Sequence, residues 1–183
     1  MLVGFGAKAG LYPLHIWLPK SYPAAPAPIS AILSAILSKT GVYGMIVITV
    51  EIFRDNLYWA FMILCLAIVT MLLGGILALF STNLKRTLAC SSMSQIGFIA
   101  FGLAMSILLG HHNALAVRGT ILHMINHSFI KLLLFMVAGI IFMNVKELDL
   151  NKIRGFGRKK PLLKGLFRCI RCQRYSFLQW LCF

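Results

Sequence analysis

From Leu57 to Phe80 the chain runs without one charged side chain. As a helix at about 1.5 Å per residue that run is about 36 Å long, enough to cross the ~30 Å hydrocarbon core of a bilayer. Lipid forces the helical reading, because a spanning segment must satisfy its own backbone polar groups. Further apolar runs cover Ile29–Val50, Thr87–Gly110 and Ala114–Met143, and a broken one covers residues 1–18. The pattern predicts an all-α, polytopic transmembrane helix bundle with broken helices, about four full spans plus a partial N-terminal one. Residues 1–143 form this unit, 144–166 read as a basic cytoplasmic segment, and 167–183 as a tail of different character.

Composition agrees. The chain is 60% hydrophobic and only 12% charged, against roughly 25% charged in soluble domains. Its net charge is +14, yet ten of the eighteen Lys and Arg follow Asn144. A cytoplasmic-side tail accounts for that balance without a nucleic-acid partner. The loop at Pro19–Pro28, the loop at Lys85 and Arg86 and the tail after Asn144 would then share the cytoplasmic side, opposite Arg54. No cleavable signal peptide is read after Met1, since neither a basic n-region nor a cleavage site follows.

Local signals refine the spans. Gly4, Gly6, Gly10 and Pro13 break the first segment around Lys8. Pro28, Ile29 and Ser30 fit the first turn of the next helix. The polar patch Ser91, Ser92, Ser94 and Gln95 predicts an end that faces protein or water rather than lipid. The run Ala114–Met143 would measure about 45 Å as one helix. It must tilt, protrude or break, with Gly139 as a weak point.

His123, His127 and Lys131 follow at i, i+4 and i+8, which sets them on one helix face, one turn apart. Lys39 falls near the middle of its own span, too deep to snorkel easily. Each such group costs about 2.5–3.5 kcal/mol at the centre of a span for a Lys, and no Asp or Glu lies in any span. A lysine that can exist charged or neutral can take up and release a proton, and imidazoles relay protons on either ring nitrogen. Lys8, Lys39, His123, His127 and Lys131 are therefore candidates for a lateral proton path. Two readings stay open: a transport path, or a set of hydrogen bonds that tether packed helices. Arg118 is read as lying near the outer interface.

No phosphate loop, Ser/His/Asp set or cysteine array indicates catalysis, so no cofactor is expected. Cys65 and Cys90 read as packing residues. Cys169 and Cys172 have ligand spacing but no second pair, and the adjacent His111 and His112 read as solvated, so no metal is expected.

Several stretches carry a resemblance. Residues 4–19 read Gly-Phe-Gly-Ala-Lys-Ala-Gly-Leu-Tyr-Pro-Leu-His-Ile-Trp-Leu-Pro; Ala25-Pro26-Ala27-Pro28-Ile29-Ser30 and Lys39-Thr40-Gly41-Val42-Tyr43 follow. Leu84-Lys85-Arg86, Ser92-Met93-Ser94-Gln95 and the His123, His127, Lys131 row complete the set. Together they resemble the proton-pumping, antiporter-like subunits of respiratory complex I, Mrp antiporters and membrane-bound hydrogenases, over about residues 1–166. They look closest to the hydrogenase type, such as formate hydrogenlyase and hydrogenase-4 component B.

The resemblance implies paired inverted helix bundles with broken helices at their centres. It would make Lys8 the lysine of the first broken helix and Lys39 the connecting lysine. His123, His127 and Lys131 would be the relay into the second bundle. It also implies proton translocation as a non-catalytic subunit of a redox-driven inner-membrane complex, with other membrane subunits as partners. A cation/proton antiporter subunit and a structural scaffold are the alternatives. The family's glutamate partner of Lys8 and its later lysine or glutamate have no counterpart here, so the sequence is expected to be a middle fragment.

The resemblance fades after Phe167, where Arg168, Cys169, Arg171, Cys172 and Arg174 replace the expected apolar helix. Read one nucleotide on, permitted codons allow a Gly-Ile-Pro stretch there, which predicts a frameshift. Sequencing the gene is expected to show that stretch in the shifted frame; an intact frame without it would sink the idea.

Overall fold

The structure, a computed structural model, describes residues 1–53, 56–110 and 114–150. Arg54, the His111–His112 pair, most of the basic segment and the tail with its Cys169–Cys172 pair lie outside them.

Six helical stretches follow one another: α1 (Leu2–Ala9), α2 (Leu18–Ala24), α3 (Ala27–Ile52), α4 (Leu57–Phe80), α5 (Leu84–Leu108) and α6 (Ala114–Val145). The last four are long and apolar enough to cross a membrane, and the chain is a multi-pass membrane protein. The first segment is broken as expected. Gly10 closes α1 in the left-handed region at φ 86, where a Cβ would be strained, and a tight turn over Leu14–Trp17 leads into α2.

Four expectations need correction. The proline-rich Pro19–Pro28 stretch is not simply a loop, because α2 occupies Leu18–Ala24 with Pro19 in its first turn, where no N–H donor is required. Only Ala25 and Pro26 separate α2 from α3, with Ala25 extended, as the residue before a proline favours. Lys85 and Arg86 do not form a loop either. Asn83 Oδ1 accepts from their backbone N–H groups at 3.1 and 3.4 Å and starts α5 at Leu84, an N-cap the apolar pattern conceals. Gly139 does not break α6; it is where the start of α3 approaches, since a Cβ there would stand 2.6 Å from that of Ala27. Of the two span cysteines, Cys90 is buried but Cys65 is exposed on α4.

Two apolar layers hold the bundle. One gathers Leu18 and Tyr22 of α2, Ala31 of α3, Leu84 and Leu88 of α5, and Leu134 and Phe135 of α6. The other gathers Ala9, Val42 and Met45, Ile63 and Ala67, Ile96 and Ile99. On α3 and α5 the stretches between these layers bring in buried polar residues: Ser34, Ser38 and Lys39, then Ser91, Ser92 and Ser94. The polar end of α5 does face protein.

Helices α4 and α5 meet backbone to backbone. A Cβ on Gly74 would lie 2.6 Å from Ser94 N, and one on Gly97 would lie 2.8 Å from Met71 N. Such close approach is the usual basis of helix association in lipid. Gly41 sets α3 against α1 in the same way, with Ala9 N at 2.6 Å. Beyond α6 the chain pairs with the α4–α5 connection through Leu84 N–H to Leu148 O and Leu150 N–H to Thr82 O, both at 2.9 Å. That connection and the start of the tail therefore share one side of the bundle. Gly97→Leu is expected to destabilise the detergent-solubilised protein by about 1–3 kcal/mol through overpacking. Gly119→Leu, with nothing within 4 Å of its would-be Cβ, is expected to leave thermal unfolding unchanged.

Candidate functional site: a buried polar layer

α6 carries the predicted row on its inner face. Lys131 is wholly buried and His127 is 2% exposed, while His123 is half-buried. Rows of this kind arise because residues four apart on a helix share a face, and α6 turns this one toward α3 and α5. The two imidazoles are parallel, 6° apart in plane, with centroids 6.3 Å apart. Neither ring nitrogen of His127, nor Nε2 of His123, has a hydrogen-bond partner among the described residues. Buried polar atoms without partners are uncommon, and at a functional site they call for a small polar guest.

Lys131 is held differently. Its Nζ donates to Leu88 O at 2.9 Å and to Ser91 Oγ at 2.6 Å, both on α5. Ser91 Oγ donates in turn to Leu88 O at 3.0 Å, and Ser92 Oγ to the same carbonyl at 2.9 Å. One peptide oxygen thus gathers two hydroxyls and an amine. Such a cluster is the available substitute for a carboxylate in a span that contains none.

Lys39 lies on α3, 8% exposed, and its Nζ donates to Ser34 O at 2.5 Å. Ser34 Oγ and Ser92 Oγ share a hydrogen bond at 3.1 Å, tying α3 to α5 between the two lysines. Lys39 also lines a cavity of about 420 Å³ with Met124, Ile125 and Ser128 of α6. A second cavity, about 620 Å³, lies between α5 and α6 and has His123 and Gln95 in its wall.

Four of the five sequence candidates, Lys39, His123, His127 and Lys131, are thus brought together. Lys8 is not: it sits exposed in the last turn of α1. Arg118 is exposed as well, on the first turns of α6. The described residues hold no group of three His, Cys, Asp or Glu side chains that could share a metal ion.

Sequence reasoning did not single out Ser34, Ser38, Ser91 or Ser92 as partners of the lysines. The signal was present: Ser30, Ser34 and Ser38 recur every fourth residue, a polar stripe on an otherwise apolar helix. Leu88 could not be found that way, because it contributes only its backbone carbonyl.

The family described as NADH:quinone oxidoreductase/Mrp antiporter, transmembrane, matches residues 1–174. The chain is 36% identical over 167 residues to NAD(P)H-quinone oxidoreductase chain 4 1 of Picosynechococcus sp., covering 91% of this chain and 30% of that protein. It is equally similar, 36% over 166 residues, to hydrogenase-4 component B of Escherichia coli, covering 86% of this chain and 25% of that one. Among solved structures, it superposes on a chain of the Mrp complex from Dietzia sp. with a TM-score of 0.82 at 24% identity, over 96% of this chain and 31% of that one. It also superposes on a chain of an archaeal membrane-bound sulfane sulfur reductase, with a TM-score of 0.66 at 35% identity, over 76% and 24%. The chain spans about 30% of the length of the first of these relatives. With the family match covering nearly all of its residues, the chain belongs to the NADH:quinone oxidoreductase/Mrp antiporter transmembrane family.

Proposed function

We propose that this chain supplies the central part of a proton path in a membrane subunit of a redox-driven complex. The observation that carries the reading is the buried, carboxylate-free cluster of Lys39, His127 and Lys131, with His123 beside it. Lys39 and Lys131 are held by carbonyl and hydroxyl oxygens, whereas both nitrogens of His127 have no hydrogen-bond partner among the described residues. That contrast suits a relay in which imidazoles exchange protons with a mobile guest between two lysine end points.

The relatives above 30% identity carry quinone oxidoreductase, hydrogenase and sulfane sulfur reductase names. They support a redox-driven complex and other membrane subunits as partners. The likeness to the Mrp complex, at 24% identity, speaks for the fold alone. The subunit would lie in the cytoplasmic membrane. Its basic segment after Asn144 would lie on the cytoplasmic side, as the excess of Lys and Arg there favours. Lys8, exposed on α1, would serve a neighbouring part of the path on a face that this cluster does not cover.

Lys131→Ala and Lys39→Ala are each expected to lower proton translocation about tenfold or more, equivalent to at least about 1.4 kcal/mol, measured in vesicles holding the assembled complex. Native pumping with normal assembly would sink the transport reading in favour of helix tethering. Ser91→Ala removes one of the two acceptors of Lys131. It is expected to cost about 1–3 kcal/mol of stability for a buried donor left short, read by thermal unfolding of the same complex.

A further inference from the structure

The helix around Lys39 is not regular. Over Leu33–Leu37 the backbone widens into a π-bulge, and Ser38 N–H donates to Leu33 O, five residues back. In an α-helix that N–H would reach Ser34 O. Lys39 Nζ takes the Ser34 carbonyl instead.

Side chains hold this arrangement. Ser38 Oγ donates to Leu33 O at 3.0 Å. Tyr22 OH and Ser38 Oγ share a hydrogen bond at 3.2 Å; because Ser38 donates to Leu33 O, Tyr22 is the donor here. Ser34 Oγ is fastened to Ser92 Oγ on α5. All four of these side chains are buried. On its far side Lys39 borders the cavity shared with Met124 and Ser128 of α6.

We infer that the π-bulge is the built acceptor of Lys39. Tyr22, Ser34, Ser38 and Ser92 are positioning residues that keep one peptide carbonyl out of the helix ladder for the lysine amine, which leaves that carbonyl to enter the cavity beside α6. Every carbonyl of a regular helix interior already has a backbone donor. With no acid near its centre, a span can offer a buried amine an acceptor by releasing such a carbonyl, by supplying hydroxyls or, as Leu88 O does for Lys131, through a carbonyl's second lone pair. The inference rests on the transport reading and deepens it, naming the resting place of one of its lysines.

Deleting Leu37 tests it. Leu37 is an exposed side chain, and its removal makes Lys39 the fourth residue after Ser34. The Lys39 backbone N–H then claims Ser34 O, both flanks keep their faces, and the amine loses its acceptor. In the native complex, labelled with 15N at lysine Nζ and 13C at serine carbonyls, solid-state NMR is expected to show a Lys39–Ser34 dipolar coupling. Lys39→Met identifies it by its loss. The deletion is expected to abolish the coupling and to lower proton translocation about tenfold in complex that still assembles. A native rate in the assembled deletion variant, or no coupling in the native complex, overturns the inference. If the deletion blocks assembly, Ser38→Ala and Ser38→Thr decide. Alanine should lose both coupling and rate and threonine keep them, while retention of both by alanine overturns the inference. A native complex that shows the coupling yet moves no protons refutes the transport reading and leaves the bulge contact standing.

Discussion

An amine inside a membrane bundle must find oxygen, and the described spans offer Lys131 none from a carboxylate. The structure meets that constraint with Leu88 O and Ser91 Oγ, both from α5. Much else follows. For α5 to present a carbonyl and hydroxyls inward, its first half must be polar and buried. For that half to be buried, α2, α3 and α6 must all pack against it. The apolar layers on either side bury Lys131 and His127 of the polar one, which strengthens each hydrogen bond that is made and raises the cost of each that is not.

The spans were legible because lipid imposes a length and a composition that few other environments impose. Leu57–Phe80 matches residue for residue, and the break around Gly10 and Pro13 lies where the glycines and proline put it. The boundaries that failed did so for local reasons. Asn83 caps α5 with a single side-chain oxygen, a signal hidden beside Lys85 and Arg86. Pro19 and Pro23 look like breakers, yet a helix of two turns tolerates one proline in its first turn and another near its end.

The site was legible in part. The i, i+4, i+8 spacing of His123, His127 and Lys131 gave their common face without tertiary information. Lys39 stands out by its depth in the span and by the family resemblance. That it converges on the row depends on how α3 crosses α6, which no local pattern encodes. Lys8 shows the limit in reverse: a plausible member by type and position, it lies exposed on another face. The π-bulge is invisible in the sequence, since Leu33–Leu37 holds neither proline nor glycine and its one serine fits a regular helix as well.

The glycine contacts between α4 and α5 bear on which parts of the molecule can move. At Gly74 and Gly97 main chain rests on main chain, so no rotamer there can change to absorb a displacement. These two helices behave as one stiff wall, and Leu88, Ser91 and Ser92 are fixtures upon it. Gly41 seats α3 on α1 in the same way, so both helices that carry the serines of the polar layer are braced by main-chain contact. The polar layer is thus framed from both sides, α5 held by α4 and α3 held by α1.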